Sequence, residues 1–155
     1  MTLKQLTWRL IFPLAIILFG TITKCWYVLP VDAPDTMMIG FPLAFVSNGW
    51  HTSMSLQIFV LEFLVDFIVY FSICFLVVFL VDRYLRKIKI PKLLTGFLWI
   101  FSTIIFALAI WIASFSEQIF KARRDWDMKI MTTGFKLTWI PQDRPDFLKY
   151  DPTQK

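Results

Sequence analysis

VLEFLVDFIVYF, Val60 to Phe71, is the stretch on which the reading of this chain turns. It is apolar enough for the interior of a membrane, yet it carries two carboxylates, Glu62 and Asp66, one helical turn apart. On a helix, one row of residues four apart reads Phe59, Phe63, Phe67, Phe71, Phe75, Phe79. The adjacent row reads Glu62, Asp66, Tyr70, Cys74. An aromatic ridge therefore runs beside a polar one.

The apolar run continues in both directions and defines a span over about Ile58 to Val81. Two further runs, about Trp8 to Val28 and about Leu93 to Phe115, have the ~20 residues that a hydrocarbon core of about 30 Å requires. Composition agrees: the 155 residues are 57% hydrophobic and only 17% charged, against about 45–50% apolar and roughly a quarter charged in a soluble domain. The expected fold class is an all-α integral membrane protein. A three-span membrane domain would cover 1–115, and a short extracytoplasmic helix and tail 116–155. Ser114 and Glu117 have capping-box spacing for that helix, and Phe135 to Ile140 alternates like a short strand in need of a partner.

The first span has Arg9 and Lys24 near its ends, which works if both snorkel. TITKCWY after it lacks the small-x-small pattern of a signal-peptidase site, so the segment reads as an uncleaved anchor. The net charge of +5 does not point to nucleic acid. Arg83, Arg86, Lys87, Lys89 and Lys92 follow the second span directly, where cytoplasmic anchoring charge belongs. The segment Leu29 to Gln57 has no basic residue at all. The positive-inside rule places the N-terminus and the basic turn in the cytoplasm, with Lys121, Arg123, Arg124 and Lys129 pulling the other way.

If the second span starts near Ile58, Glu62 lies about 6 Å and Asp66 about 12 Å below the surface, at 1.5 Å per residue. A charged Asp near the bilayer centre costs about 2.5–3.5 kcal/mol on insertion scales, so such acids face a partner or a wet cavity. Lys24 is the basic residue at matching depth. The economical contact is Lys24–Glu62 or Lys24–Asp66, with Tyr70 in hydrogen-bond reach one turn further on. The outer loop is apolar rather than flexible, with Phe41, Pro42, Phe45 and Trp50 as candidate partner-binding residues.

Other chemistry is sparse. His51 is the single histidine; with Ser53 and Asp32 or Asp35 it lacks a nucleophile-elbow or oxyanion pattern. One histidine and the separated Cys25 and Cys74 do not make a zinc site. No Walker loop, dinucleotide fingerprint or haem-attachment motif occurs. No cofactor, metal or catalytic residue is expected.

The order of short span, outer loop with Gly40-Phe41-Pro42-Leu43, acid-bearing span and basic turn resembles uncharacterised small bacterial inner-membrane proteins with a GFPL- or GWPL-type loop. The resemblance runs from about Pro30 to Lys92 and implies a bacterial inner-membrane home. The expected function is non-enzymatic: an accessory or scaffold subunit, lodged in the lipid bilayer and docking on a larger membrane complex. The other reading is a component of an ion- or proton-coupled membrane process that uses Glu62 and Asp66.

Overall fold

A computed structural model describes residues 2–30, 35–49, 55–85, 87–138 and 140. Three helices in it are long and apolar enough to cross a membrane: α1 (Leu3–Thr21), α2 (Val60–Leu85) and α3 (Lys92–Ala113). They accompany a six-stranded mixed sheet of β1 (Ile22–Pro30), β2 (Thr36–Ile39), β3 (Val46–Asn48), β4 (Leu56–Phe59), β5 (Ile119–Lys121) and β6 (Met128–Leu137). The spatial order is β5-β4-β3-β2-β1-β6. Neighbours pair antiparallel, except for the parallel β4–β5 pair. The chain is thus an α/β fold, which corrects the all-α class expected from the sequence.

The correction has three local causes. Thr23-Lys24-Cys25-Trp26-Tyr27-Val28 is rich in β-branched and aromatic residues that suit a pleated surface, so the segment taken as the end of the first span is β1. The helix before it lies further toward the N-terminus than expected. It starts at Leu3 with a Thr2/Gln5 capping box and makes a π turn over Thr7–Ile11 ahead of Pro13, which has no N–H to give. Second, Ser114 is not a helix start but the C-cap of α3, its hydroxyl donating to the Trp111 carbonyl at 2.7 Å. Third, the strand expected at Phe135 begins at Met128, and its partner is β1, 98 to 115 residues earlier: Ile22 faces Leu137 and Pro30 faces Met128. No local signal announces so distant a pairing.

The chain divides into two compact units, interleaved in sequence. One holds 1–21 and 64–116, the other 22–63 and 117–155. In the helical unit, Leu6, Ile11, Ala15, Cys74 and Val78 form the buried cluster, flanked by Leu10, Leu14, Phe71, Phe75, Ile88 and Ile90. Gly20 sets the approach of α1 to α3, because a Cβ there would collide with the Ile105 side chain. Phe12 makes edge contacts with Phe67 and Phe71 of α2 and a tilted one with Trp99 of α3. The aromatic row of α2 is therefore partly helix-packing surface. α3 buries only Ser102 and exposes most of its large apolar side chains.

In the sheet unit, Val28, Met38, Ala44 and Phe59 are buried, with Trp26, Trp126 and Met128 against them. Phe59 is fully buried, which by area is worth about 1.5–3 kcal/mol. The first turn of α2, Val60 to Phe63, belongs to this unit.

Candidate functional site

The two carboxylates of the opening stretch have different surroundings. Glu62, in the first turn of α2, belongs with the sheet. Its Oε1 accepts the Arg124 backbone N–H at 3.2 Å, and a carboxylate there also suits the positive end of the helix dipole. That bond is one of a series that ties 118–126 along 56–62. The Leu56 N–H donates to Gln118 Oε1 at 2.7 Å. β5 pairs with β4, the Leu61 N–H donates to the Ala122 carbonyl at 3.1 Å, and the Trp126 ring stands edge-on to Phe59. The strap satisfies the Leu61 N–H in the first turn of α2, as a helix start requires, and the Leu56 N–H at the start of β4. Three buried polar atoms in these segments, Gln57 Oε1, Glu62 Oε2 and Trp126 Nε1, make no hydrogen bond among the described residues.

Asp66, one turn later, belongs to the helical unit and is fully buried. The buried residues of α2 are Asp66, Tyr70, Cys74 and Val78, a single row at four-residue spacing. The polar ridge read from the sequence is therefore the inward one. Tyr70 lies within electrostatic reach of Asp66, and Phe19 of α1 sets its ring edge-on to both Phe67 and Tyr70. Of the third span's hydroxyls that the sequence offers for hydrogen bonding, Ser102, Thr103 and Ser114, Ser102 is the buried one in the same unit.

Lys24 does not make the ion pair with Glu62 that the sequence suggested. It lies in β1 rather than in a helix, and its ammonium stands 3.8 Å above the Trp26 ring. Lys24 and Asp66 fall in different units. The Gly40-Phe41-Pro42-Leu43 turn is likewise a joint of the fold. Gly40 has φ +150°, and a Cβ there would meet the Leu43 carbonyl and Phe45, so only glycine is unstrained. Its N–H donates to the Lys24 carbonyl, and its own carbonyl accepts Trp26 Nε1–H at 2.7 Å. Phe41 packs on Phe135 and Phe45 on Phe63. Of this turn, Leu43 is exposed and Pro42 half-buried. Trp50, His51, Ser53 and Asp32 lie outside the described residues.

At the other end of α2, the Asp82 carboxylate accepts the Ile88 N–H at 2.8 Å and lies 3.5 Å from the Lys87 ammonium. Arg83 is near the Phe79 and Tyr84 rings. Arg83, Lys87, Lys89 and Lys92 are exposed, and Arg86 lies outside the described residues. Burial pushes the Cys25 thiol above its ordinary value, with the Lys136 charge pulling partly the other way. No group of three or more His, Cys, Asp or Glu that could hold a metal occurs among the described residues. Comparison with protein-family models, with curated proteins and with solved structures found no match.

Proposed function

We propose that this chain is a non-enzymatic integral membrane protein, an accessory or scaffold subunit that docks on a larger membrane complex. The observation that carries the reading is where the polar side chains go. Glu62 holds the strap, Asp35 accepts the Tyr27 hydroxyl at 2.9 Å, Asp82 caps the basic turn and Asp125 pairs with Lys121. These acids hold the fold together, which is what a structural subunit needs. α3, with its exposed apolar side chains and one buried serine, offers a helix face to lipid or to a partner helix.

The proposed setting is a bacterial inner membrane with the N-terminus in the cytoplasm. The basic turn and the basic-free segment 29–57 support that orientation. Sheet pairing supports it: with β1 bonded to β6 and β4 to β5, this reading has the segments before α2 and after α3 on one side. In it, α2 and α3 cross together. The basic residues around Lys121 lie on the side of the basic-free segment and are outvoted by the turn at Arg83 to Lys92.

The test is mild-detergent capture of the tagged chain from its host, with sizing and mass spectrometry of what co-elutes. A stoichiometric larger membrane protein supports the reading; a clean monomer or homo-oligomer overturns it. A second reading, participation in a proton- or ion-coupled process, is favoured by the full burial of Asp66 beside Tyr70. There Asp66→Asn abolishes a pH-dependent function of the complex, whereas a scaffold retains assembly and function.

A further inference from the structure

Strand register assigns the residues of the sheet to its two faces, because directly paired residues share a face and neighbours along a strand alternate. One row reads Trp26, Met38, Ser47, Gln57, Ile119. It lies on the face that holds the cluster around Met38 and Phe59. The row on the opposite face is Cys25, Ile39, Val46, Ile58, Phe120. It is an apolar ladder across five strands, with no charge in it. Its exposure rises from 6% at Cys25 to 56% at Phe120. The outward face of a soluble antiparallel sheet is usually polar; here the row opposite the cluster is apolar throughout, and it opens toward β5.

We infer that the open end of this ladder, Ile58 and Phe120, docks on the surface of the lipid bilayer, in the zone between headgroups and acyl chains. Chain length names the occupant. Ile58 precedes Val60, the first residue of α2, by two residues, about 7 Å of extended strand. Val60 and Leu61 fall in the same compact unit and are themselves exposed. The Leu61–Ala122 hydrogen bond and the Phe59–Lys121 register fix Phe120 beside that entry point. An exposed aromatic ring beside the start of a membrane-length helix suits the membrane–water interface, where such rings collect.

The inference rests on the membrane-spanning reading, and the experiment separates the two. Phe120→Cys is spin-labelled, with the unsubstituted chain as blank because its two cysteines are buried. The protein is reconstituted into phosphatidylethanolamine/phosphatidylglycerol vesicles, and relaxation by oxygen is compared with relaxation by a water-soluble nickel chelate. Leu76→Cys, exposed at mid-α2, reports the span, and Asp127→Cys reports water. The expected result is a Phe120 ratio shifted toward that of Leu76. A Phe120 label that reads like Asp127 overturns the inference and leaves the span intact. A label shielded from both relaxants overturns it in favour of a protein cover, a second copy or another segment. Water-like readings at Leu76 overturn the membrane reading itself. Ile58→Cys repeats the test if Phe120→Cys fails to fold.

Discussion

Glu62 and Asp66 are the same chemistry one turn apart on one helix, and they serve different units. Glu62 gives an oxygen to the Arg124 N–H and fastens a strap that arrives 62 residues later. Asp66 is buried among helices, with Tyr70 following it on the inward row. The boundary between the two compact units falls between them, at Phe63 and Leu64. A helix long and apolar enough to cross a membrane thus begins in the sheet unit and continues in the helical one. Each unit also carries one buried cysteine, Cys25 in the sheet and Cys74 among the helices. Their rates of thiol labelling report the two units separately.

The largest effect is expected from Phe59→Ala. A fully buried aromatic at the centre of the sheet cluster costs about 3–5 kcal/mol when truncated. Labelling of Cys25 should accelerate strongly while labelling of Cys74 changes little. Equal acceleration at both would mean that the two units unfold as one. The converse perturbation is Gly20→Val. A side chain there meets Ile105, and overpacking costs about 1–3 kcal/mol. Cys74 should now respond more than Cys25.

Glu62 separates the two acids directly. Glu62→Gln keeps an oxygen for the Arg124 N–H and should melt close to the unsubstituted chain. Glu62→Ala leaves that amide unpaired, at about 1–3 kcal/mol if it stays buried, and should raise proteolysis within 118–126. If Glu62→Gln is as damaging as Glu62→Ala, the charge rather than the acceptor matters, and the pairing with Arg124 is a minor part of the role of Glu62.

The contrast also marks how far the sequence could be read. The inward row of α2 was legible because it depends on spacing within one helix: Asp66, Tyr70 and Cys74 stand four apart, and burial follows that period. α3 and most of α2 were legible from apolar length alone. The sheet was not, since its strands are three to ten residues long and its outer pairs join the first loop to the tail. Lys24 shows the consequence. Counted as the end of a span, it was the natural partner for Glu62; as a strand residue, it stacks on Trp26. The partner Glu62 does have is a backbone N–H, which no side-chain pattern can announce.

The smallest effect is expected at the outer surface of the strap, from Asp125. The Lys121 ammonium, 2.8 Å away, holds the Asp125 carboxyl below its ordinary value of 3.8. Because the folded value is the lower one, the unfolded chain binds the proton more readily. The contribution of the pair is therefore complete above pH 3.8 and fades as pH falls through the folded value. Both side chains reach solvent, so the pair is worth little and salt screens it. Asp125→Asn should leave melting at neutral pH nearly unchanged and flatten only the acid limb of the stability profile. Its effect on amide exchange at Arg124 should be far below that of Glu62→Ala. An Asp125→Asn change that rivals Glu62→Ala would move the fastening of the strap from the buried carboxylate to the exposed pair, and with it the reason Glu62 stands in an apolar helix.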